Sequence, residues 1–237
     1  FKKHSIPVPK FRLLNKSNKK KINLKFPVVV KPLDKSASRG VLMCKNQKEL
    51  NKLKNKTFSE TQKKNILVEE FLTGPQISTE TFIKNWKILT PGYVDRNYEM
   101  IKYTSPNIIE NGGNYPSKNL QYYDQINKFI KIISRSLKIK NGSIKGDIVI
   151  HNNNIYFIEV AVRLSGGDFS ETMIPLSSSF DLIRNSINLA IRNKIEQNDL
   201  NIKFKDTYLA NRYFFSKKGK LNEIYGLNKI RKKSWIK

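Results

Sequence analysis

The stretch Gly146–Phe169, GDIVIHNNNIYFIEVAVRLSGGDF, decides how the chain folds. Asp147-Ile148-Val149-Ile150 opens it with a β-rich run. His151-Asn152-Asn153-Asn154 makes a turn, and a second apolar run, Ile155–Ile158, ends in Glu159. Two such runs around an Asn-rich turn predict a β-hairpin. In an antiparallel pair, Asp147 at the start of one strand and Glu159 at the end of the next lie side by side. Arg163, Ser165 and the Gly166-Gly167 pair follow in a loop. Paired carboxylates on adjacent strands suit an oxygen-liganded Mg²⁺, which is held by one or two carboxylates plus phosphates. A surface hairpin with two solvated acids accounts for the same residues.

Upstream, Phe26–Lys31 (FPVVVK) reads as a short buried strand ending in a lysine. The loop 32–41, PLDKSASRGV, returns to a strand at Val41-Leu42-Met43. Backbone N–H groups and hydroxyls in such a loop can wrap phosphate oxygens, with the lysine adding a point charge. An ordinary Ser-rich hairpin turn has the same composition, and no G-x-x-x-x-G-K-[ST] phosphate loop occurs. Ile66-Leu67-Val68 predicts a strand running into Glu69-Glu70-Phe71-Leu72-Thr73-Gly74-Pro75. These carboxylates beside Phe71 and Leu72 can form the polar and apolar sides of an adenine slot, or simply a solvated strand end. Strands are expected at 77–83 and 87–93. Residues 95–118 read as irregular, with Asn111-Gly112-Gly113-Asn114 as a flexible turn able to approach a ligand closely.

The helices follow from spacing. Asn46–Lys54 places Leu50 and Leu53 inward. Residues 120–139 form the clearest helix, with Ile126, Ile130, Ile133 and Leu137 on one stripe. Ser179 predicts the N-cap of another, with Phe180, Ile183, Ile187 and Ile191 on its apolar face. Residues 1–10 read as the tail of a helix entering an extended Pro7-Val8-Pro9 segment. Lys16–Lys21 is a basic linker. Strands at 208–215 and 221–225 flank a Lys217-Lys218-Gly219-Lys220 turn, before a basic end.

At 237 residues, with 38% hydrophobic residues, 13 Phe and 10 Tyr, the chain can build a sizeable core. It holds no apolar run long enough to span a bilayer and no visible signal peptide. The single cysteine, Cys44, excludes an internal disulfide and fits a reducing, cytoplasmic setting. With only His4 and His151 beside it, a structural zinc site is not expected. The formal charge of +26 suggests a nucleic-acid partner. Yet the excess is mostly Lys, spread along a chain rich in Asn and Ile, as A/T-biased codons would produce. Specific nucleic-acid binding is therefore not the primary expectation.

Singly these motifs are weak; their order is specific. IPVPKF, FPVVVKPLDKSASRGV, ILVEEFLTGPQISTETF, KGDIVI and YFIEVAVRLSGGDFSETMIPLSSSFDL together resemble the ATP-grasp superfamily of ADP-forming carboxylate–amine ligases, over essentially the whole chain. The nearest resemblance is to the branch of phosphoribosylglycinamide ligase, carbamoyl-phosphate synthase-like proteins and L-amino-acid ligases. It implies an α+β fold with two subdomains gripping the nucleotide between antiparallel sheets. Residues 1–73 would be the small subdomain, its phosphate-covering loop at 32–40, and 74–237 the larger one with the metal and acceptor sites. It also implies a preceding N-terminal domain that the chain lacks and a shortened C-terminal lobe.

By the same resemblance, ATP would be bound by Lys31, by Ser36, Ser38, Arg39 and Gly40 of the loop, by Glu69, Glu70, Phe71 and Leu72, and by Gln76. Gln76 stands where the family often has Glu, and an amide still hydrogen-bonds a ribose hydroxyl. Asp147 and Glu159 would be the Mg²⁺ carboxylates, with Mn²⁺ compatible. Lys31 and Arg163 would be the catalytic cations. Arg163, Ser165, Gly166 and Gly167, up to Asp168, would form the acceptor site. Ala161 stands where many members carry a metal-binding Asn, so a second metal would need another oxygen. The implied reaction activates a carboxylate as an acyl phosphate for attack by an amine, releasing ADP and phosphate. Small-molecule substrates are the implied partners, and a homodimer is compatible. The alternative is a catalytically silent nucleotide-binding or basic RNA-binding module on the same fold.

Overall fold

The computed structural model describes residues 1–17, 21–215, 219–234 and 236. Its first sheet is built on short β-branched runs. Phe11–Asn15 (β1), Val28–Lys31 (β2), Leu42–Cys44 (β3) and Asn65–Glu70 (β4) pair antiparallel in the order β1-β4-β2-β3. Helix Gln47–Ser59 (α1) covers one face. Its N-cap is Asn46, whose side chain accepts the Glu49 N–H at 3.0 Å. Val28, Val30, Leu42, Leu50, Ile66 and Val68 close the core between them. Cys44 belongs to this core, and burial pushes its thiol up to about 12.

The second sheet has six strands: Gln76–Lys84 (β5), Lys87–Arg96 (β6), Gly112–Tyr115 (β7), Gly142–His151 (β8), Asn154–Ala161 (β9) and Leu209–Arg212 (β10). Their order is β10-β7-β6-β5-β8-β9. Between β6 and β7 lies the short helix Ile101–Thr104 (α2). Helix Tyr123–Ser136 (α3) lays Ile126, Ile130 and Ile133, all with no exposed surface, on Ile144, Ile148 and Phe157 of one sheet face. Each such isoleucine contributes about 1.5–3 kcal/mol of burial free energy. The opposite face is covered by a π-helical turn at Phe169–Met173 and by Ile174–Ser177 (α4) and Leu182–Ala190 (α5), with Phe82, Phe169, Ile174, Phe180 and Leu182 forming a third core. A sheet covered on both faces buries both, which is why residues 77–83 of β5, polar Ser78–Thr81 included, are buried without alternation. A last helix, Leu227–Arg231 (α6), lies near the chain end.

The first sheet meets the second beyond the covalent links at 10–11 and 71–75. Met43 N–H donates to the Pro106 carbonyl at 2.7 Å, and Leu42 bridges Asn107. Residues 1–10 pack on the second sheet: Ile6 joins its core, and Phe157 N–H donates to Pro7 O at 2.9 Å.

Several expectations are corrected. The Asn111–Asn114 segment is no flexible turn; β7 runs through it between β6 and β10. A Cβ on Gly112, at φ +123°, would stand 1.9 Å from the Asn211 carbonyl oxygen, so the glycines serve close strand approach. Leu137 caps α3 and is exposed rather than on its buried stripe. The N-cap of α5 is Asp181, whose carboxylate accepts the Arg184 N–H at 2.9 Å. Ser179 Oγ instead accepts the Lys203 N–H at 3.0 Å. That start turns Leu182 and Asn185 inward and leaves Ile187 and Ile191 exposed. Strand β10 covers only Leu209–Arg212 of the expected 208–215, and 221–225 is not a strand. Half of the Lys217–Lys220 turn and half of the Lys16–Lys21 linker lie outside the described residues.

Candidate functional site

The hairpin of the opening stretch forms as β8 and β9, and Asp147 lies directly opposite Glu159. One residue further, Ile148 pairs with Phe157, so Ile158 is an extra residue, a β-bulge. The bulge lets Ile158 and Glu159 both line the cleft while Phe157 stays in the core, edge-on to Phe129. Asp147 is oriented from two sides. Its Oδ1 accepts the Ser78 hydroxyl at 2.5 Å, and its Oδ2 pairs with Lys145. Lys145 is two residues earlier on β8 and so projects from the same face.

The cleft measures about 960 Å³ and lies between the two sheets. Lys31 enters it from the end of β2 and forms an ion pair with Glu69 of β4, both largely buried. The loop expected to cover phosphates forms one wall. Ala37 and Ser38 (φ +55° each) and Gly40 (φ +70°) adopt left-handed backbone, which folds the loop tightly. It is anchored at its base: Thr57 of α1 donates to Gly40 O at 2.8 Å, and Thr61 donates to Asp34 at 2.5 Å. Phe71, Leu72 and Gln76 line the cleft with Glu70, whose Oε1 accepts the Lys25 N–H at 3.0 Å. Thus Lys31, Ser36, Ser38, Arg39, Gly40, Glu69–Leu72, Gln76, Asp147, Glu159, Arg163 and Ser165–Gly167 all border one cavity. Asp168 is outside its lining, and Ala161 faces Lys145 across the strands without a side-chain oxygen.

Sequence reasoning missed a second group at the Arg163 end. Arg96, at the end of β6, pairs with Glu110 from the following loop, and both are mostly buried. Tyr98 and Tyr213 close over them; burial raises both phenols, helped by the negative charge of Glu110. Burial likewise pushes the Glu110 carboxyl up, with Arg96 opposing. Lys145 was missed as well, although its place two residues before Asp147 in an alternating run was a local signal for it. Arg96 and Glu110 carried no such signal, because nothing local pairs them. Glu80 was missed too. It is fully buried on β5, opposite Lys145 and Gly92, and its Oε1 accepts the Ser165 N–H at 2.7 Å. Burial pushes its carboxyl up to about 7, against the lowering effects of Ser165, Ser170 and Lys145.

The sequence model of the ATP-grasp domain matches residues 24–171, well over half of the chain. The chain belongs to the ATP-grasp family. Among ATP-grasp relatives, it is 26% identical over 193 residues to the phosphoribosylamine–glycine ligase of Fusobacterium nucleatum, covering 74% of this chain and 45% of that protein. It is 28% identical over 163 residues to the D-alanine–D-alanine ligase of Buchnera aphidicola, covering 68% and 51% respectively. It therefore spans about half the length of these curated relatives. Among solved structures, the L-amino acid ligase of Bacillus licheniformis superposes with a TM-score of 0.69 at 19% identity, over 84% of this chain and 46% of that one. The biotin carboxylase domain of the Hydrogenobacter thermophilus 2-oxoglutarate carboxylase, in complex with MgADP and bicarbonate, gives 0.68 at 15% identity, over 87% and 46%. These likenesses extend the ATP-grasp fold across both sheets. No helix among the described residues is long and apolar enough to cross a membrane.

Proposed function

We propose that the chain is the nucleotide-binding and catalytic core of an ADP-forming carboxylate–amine ligase, divided near residue 73 into a small and a large subdomain. The observation that carries this is the Asp147–Glu159 pair, face to face on one wall of the cleft whose other wall is the Ser36–Gly40 loop. The donor set fits Mg²⁺: two carboxylates on adjacent strands, with no third His, Cys, Asp or Glu beside them among the described residues, suit an ion completed by phosphates and water. Asp147 and Glu159 would hold it, and when bound it supplies charge neutralisation at the nucleotide phosphates.

The rest falls to the protein. Lys31 and the amides of the 36–40 loop bind the phosphate oxygens, while Glu69–Leu72 and Gln76 hold the adenosine end. A substrate carboxylate oxygen attacks the γ-phosphorus and ADP leaves. An amine then attacks the acyl carbon, phosphate leaves, and the nitrogen gives up a proton. Positioning and charge stabilisation supply most of such catalysis, and Arg163 and Lys145 face the oxygens on which charge accumulates. Arg163 is available for this: among the described residues its guanidinium makes one bond, to the Leu164 carbonyl at 3.0 Å.

The test is thermal unfolding with ATP, with and without Mg²⁺, on the wild type and on Asp147→Asn/Glu159→Gln. A ligand at about 100 times its dissociation constant stabilises by about 2.7 kcal/mol. A Mg²⁺-dependent upward shift that the double variant loses is expected. A shift of equal size in both proteins removes the metal pair from the reading. Mg-ATP binding with no ADP release against any carboxylate and amine would make the chain a silent nucleotide-binding module.

A further inference from the structure

A carboxylate placed in a core is costly unless its environment answers it, and Glu80 is placed with care. It has no exposed surface. Beneath it lies Gly92, where a Cβ would stand 2.8 Å from the Glu80 Cβ, and Ile174 and Phe169 crowd the same spot. Beside it on β8 is Lys145, the partner of Asp147. Above it runs the 163–168 loop, whose Ser165 N–H donates to Glu80 Oε1 at 2.7 Å, with the Ser165 and Ser170 hydroxyls also facing the carboxylate. The Glu80 Oε2 and the Ser165 hydroxyl are both buried and without a hydrogen-bond partner among the described residues.

The same loop is tied at two further points. Ser170 O–H donates to Ser165 O at 3.0 Å, while Tyr213 O–H and Asn211 Nδ2 donate to Gly167 O, each at 3.0 Å. Between these ties, the N–H groups of Gly166 and Gly167 have no acceptor among the described residues, and both glycines line the cleft. A loop whose amides are left free while its carbonyls are held is set to donate to a ligand. From the core side it is held by Glu80 at the Ser165 N–H and by buried Ser170 at the Ser165 carbonyl.

We propose that Glu80 is the positioning residue of the acceptor end: by holding the Ser165 amide it presents the Gly166 and Gly167 amides to the acceptor, without touching nucleotide or acceptor itself. This rests on the ligase reading above. It predicts a split, because the nucleotide end of the cleft is held by β2, β4, the 32–40 loop and Gln76 at the far end of β5, and Glu80 is hydrogen-bonded to none of them.

The experiment compares wild type, Glu80→Ala and Glu80→Gln, the last keeping an oxygen for the Ser165 N–H. Amide hydrogen exchange at Ser165 should accelerate about tenfold or more in Glu80→Ala and return to within about threefold of wild type in Glu80→Gln, as loss and restoration of one buried hydrogen bond imply. Mg-ATP affinity by calorimetry should stay within about twofold in all three. With hydroxylamine as trapping amine and the common L-amino acids and simple mono- and dicarboxylates as acceptors, the KM of whichever acid yields a hydroxamate should rise about tenfold or more in Glu80→Ala, restored in Glu80→Gln. Unchanged Ser165 exchange in Glu80→Ala overturns the proposal, as does an equal loss of Mg-ATP and acceptor affinity. If no acid reacts, the exchange rates decide alone. A wild type that binds no Mg-ATP instead overturns the ligase reading, whatever Ser165 does.

Discussion

Glu80 also ties stability to pH. Its carboxyl titrates near 7 in the folded chain because burial opposes the charge; unfolded, it titrates near its ordinary value of about 4.3. Between these values the folded state holds a proton that the unfolded state has lost, so this group makes stability fall as pH rises from about 4.5 to 7. The full effect is on the order of 3 kcal/mol. Chemical denaturation of wild type and Glu80→Gln across this range should give curves that diverge by that order, with the variant gaining relative stability toward pH 7. Parallel curves would mean that Glu80 ionises freely. The groups facing it are Lys145 from β8 and Ser165 and Ser170 from the loop; of these only Lys145 carries charge. At this scale the sequence was readable where chemistry is local. Lys31 ends a strand, and Asp147 and Glu159 stand within a hairpin that its own turn defines. Glu80 sits inside the run QISTETFI, where nothing marks it as different from Thr79 or Thr81, and its partner is 85 residues away.

Among the elements, β7 shows what glycine can conceal. Asn-Gly-Gly-Asn carries turn chemistry, yet Gly112 and Gly113 lie between two strands so close that side chains would strike the Asn211 and Asp95 carbonyls. Gly112→Ala should lower stability by about 3 kcal/mol or more, about 6–12 °C in melting temperature for a chain of this size, and should release β10 first. An unchanged melting temperature would contradict the pairing. Helix α3 was legible because three isoleucines repeat without interruption. Helix α5 was not, because Ser179 and Asp181 are both good caps; the Lys203 amide claims the first, and a two-residue shift rotates the helix by more than half a turn. The strand expected at 221–225 has apolar residues but no neighbour to pair with among the described residues, and Leu221 and Tyr225 remain exposed.

For the molecule as a whole, two sheets meet across a cleft, joined by two covalent crossings, at residues 10–11 and 71–75, and by the Met43–Pro106 and Leu42–Asn107 contacts. The 32–40 loop hangs from the smaller sheet. If it closes over phosphates, Mg-ATP should slow hydrogen exchange at residues 36–41 about tenfold or more while leaving the α3-covered core unchanged; uniform slowing would indicate global stabilisation alone. The resemblance that the ordered motifs carry implied this architecture, which no single strand, loop or hairpin did. The packing of residues 1–10 on the far sheet was not legible, because Pro7 fixes an extended backbone but not its destination.

The bulge at Ile158 has a consequence for variation in length. Because it sits between Phe157 and Glu159, removing that one residue leaves Phe157 opposite Ile148 and Glu159 opposite Asp147, on the same faces as before. The carboxylate pair is thus insulated from an insertion that alters only the apolar lining beside it. A lineage could lengthen or shorten the hairpin at this point and reshape what the cleft accepts, while the charges that define its chemistry stay in register.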